Sequence, residues 1–259
     1  MTFNVRRPHD RYLWAGPDAW FTRVPAVQAV LRDHRADLVA LQEVHPEQLH
    51  PIQDALGPRH VLLGTGRDDG GRGEGCLLAV DTSRFDVAHW RQRWLSPTPE
   101  VPGSRWPGDA CPRTVVHADL VDRRTGVAWR AVATHLDPWP ERARLRKLPA
   151  LRQLHLEWEG PLVLLGDMNA AAGRSRTWQA ALAGGLRDTL PADAPGTFHR
   201  YREPGARTPR LDWILHAGPV RVLDARVLAD RPRGTWASDH FPVLAALEHE
   251  RAPDGERDR

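Results

Sequence analysis

Short apolar runs of strand length recur along the chain, separated by stretches rich in polar residues, glycine and proline. Runs of four to eight such residues bounded by turn formers are typical of buried strands. Ten of them predict strands, at residues 2–5, 38–42, 60–64, 76–80, 114–121, 127–134, 162–166, 211–215, 221–228 and 242–247. Residues 122–126, which contain a glycine, are expected to close a β-hairpin between two of these runs.

Helical spacing of apolar residues is rarer. Trp20, Val24 and Val27 lie three or four residues apart, which places them on one helix face. Three helices are predicted, over residues 18–35, 140–158 and 175–184. We expect Pro25 and Pro149 to kink or shorten the first two, because proline lacks the amide that a helix interior needs.

Strands therefore outnumber helices about three to one and do not alternate with them, as a doubly wound parallel sheet requires. The pattern favours an α/β fold of two packed mixed β-sheets with helices outside. Residues 65–75 and 96–112 are rich in glycine, proline and charge, and we expect surface loops that bind a ligand. We predict one domain over residues 1–250 and a disordered tail over 251–259.

Composition narrows the class of protein. The chain is 41% hydrophobic and 27% charged, which excludes a disordered, collagen-like or coiled-coil protein. Its 36 basic and 33 acidic residues leave a net charge of +3, too weak to indicate nucleic-acid binding by itself. Two cysteines, Cys76 and Cys111, are too few for a disulfide scaffold or a four-thiolate zinc site and leave a single bridge open.

No apolar run approaches the ~18 residues of a membrane helix, and the start of the chain lacks the design of a signal peptide. We therefore expect a cytoplasmic protein without a membrane or protein partner, and secretion after removal of a leader stays open.

Polar side chains stand at the ends of many predicted strands, where they are costly to bury alone. They are Asn4, Glu43, His135, Asp167, Asn169, Asp212, Asp239 and His240. Any one of them is more often a turn former, a cap or an ordinary histidine than a functional group. Their recurrence at strand ends predicts that they gather at one edge of the sheets.

Six motifs carry a resemblance to a known family. They are TFNV (2–5), LQEV (41–44), THLD (134–137), GDMNA (166–170), RLDWI (210–214) and SDHFPV (238–243). In this order they resemble the endonuclease/exonuclease/phosphatase family, which has the DNase I-like fold. Three further segments resemble a bacterial subgroup of undefined substrate: GRDDG (66–70), WLSPTPEVPGSRW (94–106) and CPR (111–113).

The resemblance implies a four-layer α/β sandwich that hydrolyses a phosphoester bond with a divalent metal, Mg²⁺ or Mn²⁺. Hard cations prefer carboxylate and carbonyl oxygens, and the candidate ligands are Asn4, Glu43 and Asp239. His240 is the candidate general base, oriented by Asp212. Asp167 aligns or activates the water in the family's pattern, and whether Asp167 or His240 takes the proton stays open.

The remaining matches concern the phosphate. Asn169 is expected to donate to it, and His135 to face it from the other side and stabilise its developing charge. Glu74 matches the position whose carboxylate pairs with that histidine in the family. Arg113 is a candidate phosphate ligand, with a solvated arginine at a strand end as the alternative.

Three tryptophans in predicted loops, Trp106, Trp139 and Trp236, are candidates for stacking on a base or another flat group of the substrate. The alternative is ordinary loop packing. Arginines cluster at 142–146 and 200–210. Acidic residues are interspersed among them, and runs of charge are usually solvated surfaces.

The favoured hypothesis is a metal-dependent phosphoesterase acting on a phosphorylated small molecule or a single-stranded nucleic acid. A DNA or RNA nuclease is the alternative. An inactive binding module would be expected to have lost at least one of Glu43, Asp167, Asp212 and His240, and all four are present.

Overall fold

The computed structural model describes residues 1–8 and 16–250, so the predicted tail lies outside the described residues. The strands are β1 (Thr2–Asn4), β2 (Leu38–Val44), β3 (His60–Leu63), β4 (Gly75–Asp81), β5 (Phe85–Trp94), β6 (Thr114–Asp122), β7 (Ala128–His135), β8 (Leu162–Asp167), β9 (Arg187–Asp188), β10 (Asp212–Ala217), β11 (Val220–Val227) and β12 (Val243–His249). The α-helices are α1 (Trp20–His34), α2 (Pro46–Leu56), α3 (Glu141–Leu145), α4 (Leu148–Leu156) and α5 (Arg176–Ala183).

The strands form two six-stranded sheets. The first has the order β11-β12-β1-β2-β4-β3 and the second the order β5-β6-β7-β8-β10-β9. Each sheet contains one parallel pair, β1 with β2 and β7 with β8, among antiparallel neighbours. Parallel neighbours end at the same edge of a sheet, so each central pair brings its carboxyl ends together. The predicted pair of mixed sheets is confirmed.

Three apolar layers hold the sheets and helices together. Leu78 of the first sheet and Val116 of the second belong to the cluster between the sheets. A second cluster, which includes Val27 of α1, packs α1 and α2 on the outer face of the first sheet. A third, which includes Leu154 of α4, packs α4 and α5 on the second sheet. Burying one such side chain stabilises a fold by about 1.5–3 kcal/mol, and the helices lie outside as predicted.

Three elements were not predicted: strand β5, helix α2 and the two-residue strand β9 (Arg187–Asp188). Strand β5 lies at the edge of the second sheet with most of its side chains exposed or partly exposed, so it lacks an apolar run. Helix α2 contains Pro51 and exposes Leu49, which hides its apolar face. It starts at Pro46, where the missing amide costs nothing, and the His45 and Gln48 side chains cap its first turn.

The predicted helix over 140–158 is two helices, α3 and α4, with Arg146 and Lys147 between them, and Pro149 lies in the first turn of α4. Helix α1 continues through Pro25. The predicted hairpin is confirmed, since the Gly126 amide donates to the Asp122 carbonyl at 2.7 Å and β6 pairs with β7. Cys76 and Cys111 are free thiols. Within residues 1–8 and 16–250, no helix is long and apolar enough to cross a bilayer.

His117 on β6 links folding to pH. Its side chain is buried, and burial, together with Arg130, lowers the pKa of His117 to about 4. An unfolded histidine titrates near 6.5, so below that pH the unfolded chain takes up a proton that the folded chain refuses. This contribution to stability is present above pH 6.5 and is lost as the pH falls towards 4.

The free energy of unfolding should fall between pH 7 and pH 4.5 in both proteins. We expect the fall to be about 2 kcal/mol smaller in His117→Gln than in the wild type. Urea denaturation at both pH values measures the difference. His50→Gln is the control, because the His50 side chain is 87% exposed. Equal losses in the wild type and His117→Gln would contradict the prediction.

Candidate active site

The predicted polar side chains meet at one edge, where the ends of both central parallel pairs face each other. Asn4 ends β1, His135 ends β7, Asp167 ends β8, and Asp212 begins β10 directly opposite Asp167. The Asn4 Nδ2 atom donates to Asp167 Oδ2 at 3.0 Å, which joins the first sheet to the second. The site therefore lies between the sheets, at the carboxyl ends of their parallel strands.

His240 is held by acidic side chains of the second sheet. Its Nδ1 lies 2.8 Å from Oδ2 of Asp212, and its Nε2 lies 3.9 Å from Oδ2 of Asp167. Asp212 is completely buried, and the Phe198 ring packs on the imidazole at 4.6 Å between centroids. Since Asp212 accepts the proton of Nδ1, the ring has one fixed orientation, with Nε2 directed towards Asp167.

The protonation states of His240 and Asp167 follow from this arrangement. Burial alone would lower the pKa of His240, but the carboxylates of Asp212 and Asp167 raise it to about 10. Burial raises the pKa of Asp167 to about 7 against the opposing charge of His240, and Asp212 adds to the increase. The two carboxylates therefore favour the protonated form of His240, and Asp167 is a carboxyl whose pKa is raised towards neutrality.

Asp167 also builds the turn that follows β8. Its Oδ1 accepts a hydrogen bond from the backbone N–H of Asn169 at 2.8 Å. This turn, closed by a side chain, allows Asn169 its positive φ of 48°. The Asn169 Nδ2 atom then contacts Leu136 O at 2.9 Å and His135 Nε2 at 3.0 Å. Because an amide nitrogen only donates, His135 Nε2 accepts and the ring proton lies on Nδ1.

His135 is neutral. It is buried, and burial together with Arg113 and Arg67 holds its pKa well below the usual value for histidine. The neutral ring accepts from Asn169 at one nitrogen, so only its Nδ1–H can donate to a ligand.

Glu43 is placed by an irregularity in β2. The pairing register with β4 shifts between Leu41 and Val44, and Glu43 has a φ of 60°, as expected where a bulge redirects a side chain. Glu43 Oε1 accepts from Asn4 Nδ2 at 3.1 Å, and Oε2 accepts the Arg7 amide at 3.0 Å. Burial would raise the pKa of Glu43, but the Arg7 amide, the Arg6 guanidinium and Asn4 hold it below its usual value.

Two of the predicted metal ligands, Glu43 and Asp239, converge on the guanidinium of Arg6. Its guanidinium lies 3.8 Å from Glu43 Oε2 and 3.6 Å from Asp239 Oδ2, and it also pairs with Asp18 at 3.3 Å. Its backbone amide donates to Asn4 Oδ1 at 2.9 Å. Glu43 and Asp239 thus share the guanidinium while Asn4 Oδ1 lies against the backbone amide of the same residue, and this oxygen-only donor set fits Mg²⁺ or Mn²⁺.

A second acidic group, Asp167 and Asp212 with His240, also brings its ligand atoms within 4.8 Å of one another. In this group the carboxylates favour a protonated His240 ring, and a protonated ring is a poor metal ligand. The oxygens of Glu43 and Asp239 therefore fit a hard divalent cation better.

Glu74 was expected to pair with His135, but the structure shows no hydrogen bond or ion pair between these two side chains. Glu74 pairs with Arg67 and, at 3.4 Å, with Arg7, because these two guanidinium groups take up its oxygens. Glu74, Arg67, Arg113 and His135 line one small cavity. Arg113 is only 5% exposed, so the alternative of a solvated arginine is wrong.

The three loop tryptophans differ sharply. Trp236 is buried against His199 and Phe241, with Arg231 3.7 Å from its ring centre, so its faces are not open to a substrate and that expectation is wrong. Trp106 is partly buried beneath Arg146. Trp139 is 79% exposed.

Sequence reasoning missed Arg6 and Lys147. Lys147, the only lysine in the chain, is completely buried and pairs with Asp137 at 2.7 Å and with Asp109. It ties the loop over 96–112 to the end of β7. The uniqueness of this lysine was the one sequence signal for its role, and Arg6 had only its closeness to Asn4.

Comparisons with known proteins agree with this geometry. The model of the Endonuclease/Exonuclease/phosphatase family matches residues 1–240. No curated protein sequence matches the chain significantly.

Several solved structures are similar. An endonuclease/exonuclease/phosphatase from Bacteroides vulgatus is 29% identical, with a TM-score of 0.86 over 96% of this chain and 97% of that one. A mannosyl-6-phosphatase from Bacteroides thetaiotaomicron is 26% identical, with a TM-score of 0.84 over 95% and 98%. D. rerio TDP2 with a single-stranded DNA product shares the fold at 16% identity, with a TM-score of 0.72 over 95% and 97%.

Proposed function

The chain belongs to the endonuclease/exonuclease/phosphatase family, and from that premise we propose that it hydrolyses a small or single-stranded phosphorylated substrate with the help of a divalent metal. The observation that carries the proposal is the position of His240 between Asp212, at 2.8 Å, and Asp167, at 3.9 Å. Burying two carboxylates and an imidazole together costs desolvation energy, and groups with strongly shifted pKa values cluster at functional sites.

The shifted pKa values of Asp167 and His240 support one direction of proton transfer. Asp167, whose pKa is about 7, accepts a proton from the attacking water as the water oxygen bonds to phosphorus and the bond to the leaving oxygen breaks. His240 donates a hydrogen bond from its Nε2–H to a phosphate oxygen and stabilises the charge that grows there. Asp212 orients the ring and keeps it protonated.

His135 acts on the same phosphate from the second sheet. The Nδ1–H of neutral His135 offers a hydrogen bond without adding charge, and buried Arg113 supplies a fixed positive charge beside His135. Asn169 positions this ring, since its Nδ2 hydrogens are taken by His135 Nε2 and Leu136 O. Donors already in place lower the barrier because they need no reorganisation as the charge develops.

Asn4, Glu43 and Asp239 would hold the metal, since the oxygens of Glu43 and Asp239 share the Arg6 guanidinium and Asn4 Oδ1 accepts the backbone amide of Arg6. Bound there, a divalent ion would supply positive charge to offset that of the phosphate oxygens. Arg6 must share these carboxylates with the ion or turn towards the phosphate.

The mannosyl-6-phosphatase of B. thetaiotaomicron, 26% identical over 95% of this chain, supports a small phosphorylated substrate. A nuclease is the second candidate, because Arg200 lies 4.7 Å from the ring centre of Phe198, which pairs with His240 in an isolated bridge. Arg202 and Arg207 are exposed in the same segment. Sugar phosphates, nucleotides, single-stranded DNA and RNA, and plasmid DNA, each tested with Mg²⁺, separate the two. Plasmid nicking at low enzyme favours the nuclease, and turnover of small esters alone favours the phosphatase.

Glu43→Gln is expected to raise the Mg²⁺ concentration for half-maximal rate by roughly tenfold or more, because a charged oxygen ligand is lost. A metal titration of the hydrolysis rate measures it. Glu47→Gln, an exposed change in the first turn of α2, should leave the titration unchanged. An unchanged midpoint in Glu43→Gln would remove Glu43 from the metal site.

A further inference from the structure

Trp139 is the most exposed large apolar side chain among residues 1–8 and 16–250, at 79%. The next tryptophan, Trp90, is 41% exposed. Exposing an indole forfeits the burial energy that usually keeps it inside. A ring in this position therefore suggests contact with something other than the chain itself.

The exposure of Trp139 does not come from a loosely held loop. Pro138 and Pro140 flank it, and the buried Arg144 donates from Nη1 to the carbonyl oxygens of Asp137 and Pro138, both at 2.9 Å. The Asp137 carboxylate is fixed in turn by Lys147 at 2.7 Å. The ring is therefore presented on a rigid support, which lowers the entropy lost when a ligand stacks on it.

The support is anchored to the active site. The Leu136 amide donates to Asp167 O at 3.0 Å, and Leu136 O accepts from Asn169 at 2.9 Å. Trp139 follows His135 by four residues, so its backbone lies within about 14 Å of that histidine. A group attached to the phosphate can reach the indole from there.

Exposed arginines lie on the elements that follow Trp139. They are Arg142 of α3, Arg174 before α5, and Arg176, the first residue of α5. None of these three side chains forms an ion pair with a described acidic residue. Glu141 joins the two helices by accepting the Thr177 amide at 3.3 Å.

Arg176 stands where a positive charge opposes the helix dipole, so helix stability does not explain it. An exposed flat ring and unpaired cations on linked neighbouring elements are the kind of groups that bind bases and their phosphates. A sugar monophosphate would place its only phosphate at His240 and leave these arginines without a partner.

We propose that Trp139, supported by Pro138 and Pro140, stacks on a nucleobase of the substrate while Arg142, Arg174 and Arg176 receive further phosphates of a nucleotide or short single strand. This rests on the proposed function and narrows it to base-bearing phosphoesters. Trp139 thereby determines specificity, and it takes no part in the proton transfers.

The test compares Trp139→Ala with wild type on two short oligonucleotides of equal charge, one with a base beside the scissile phosphate and one with an abasic tetrahydrofuran there. We expect kcat/KM to fall roughly 5- to 100-fold on the base-bearing substrate and less than about twofold on the abasic one. Trp139→Phe should keep most of the rate. Trp90→Ala, on the edge strand β5, should change neither.

A binding measurement separates this proposal from the proposed function. In chelator, where turnover is not required, a 2-aminopurine oligonucleotide should be quenched by wild type and not by Trp139→Ala. Equal losses on both oligonucleotides, or equal quenching by both proteins, would overturn the stacking role. Quenching without hydrolysis of any substrate would instead contradict the proposed function and leave the stacking surface standing.

Discussion

Asp212→Asn is expected to lower kcat by a factor on the order of 10² to 10⁴, because the amide can no longer hold the ring of His240 in its protonated form. The carboxylate is completely buried, and its Oδ2 lies 2.8 Å from His240 Nδ1. An asparagine can turn its NH₂ group towards Nδ1, which reverses the direction of this hydrogen bond. The steady-state rate at saturating substrate and Mg²⁺ measures the loss.

The matched control is Asp122→Asn. Asp122 is also a buried carboxylate, paired with Arg84 at 2.7 Å, but it lies at the opposite end of β6 from the site. The Asp122→Asn variant should be less stable than the wild type but should have the same kcat. A kcat for Asp212→Asn within about threefold of wild type would show that the pair does not act in the reaction.

Lys147→Met is expected to lower the free energy of unfolding by about 3–5 kcal/mol, because Asp109 and Asp137 would then be buried with less compensating charge. Both carboxylates are at most 7% exposed, and Lys147 is 1% exposed. Urea denaturation at pH 7 measures the difference. Since Asp137 also supports Trp139, the loop beside the site should loosen as well.

An exposed ion pair gives the contrast. Arg226→Met removes the partner of Asp224, and both side chains are 56% exposed, so the change should cost less than about 1 kcal/mol. If Lys147→Met were no more destabilising than Arg226→Met, the buried lysine would not be the link that holds the loop.

The gathering of polar residues at one edge could be predicted from the sequence for a physical reason. Asn4, His135 and Asp167 each end a strand of a parallel pair, and such ends share one edge of a sheet. The order of the motifs therefore predicted both the fold and the position of the candidate site. Their roles in the reaction remain a proposal.

The charge of His240 could not be predicted in the same way. Its pKa depends on Asp212 and Asp167, which belong to different strands and approach the ring only in the folded chain. The same limit applies to the pair of Glu74 with Arg7, which lie 67 residues apart in the chain. Contacts between distant segments leave no local pattern.

Edge and loop features escaped prediction because periodicity reports burial. Strand β5 is largely exposed, so its pattern is polar. Trp236 and Trp139 are alike in sequence, each a tryptophan in a loop near a site residue, yet one is 8% and the other 79% exposed. Packing of His199 and Phe241 on Trp236 makes the difference.

The most direct measurement is the release of phosphate or nucleotide by wild type and by His240→Ala, each with Mg²⁺ and with excess chelator. If His240 and a metal held by Glu43 and Asp239 act as proposed, only wild type with Mg²⁺ turns over at an appreciable rate, and His240→Ala is slower by on the order of 10² or more. Equal rates for the two proteins, or an unchanged wild-type rate in chelator, would contradict it.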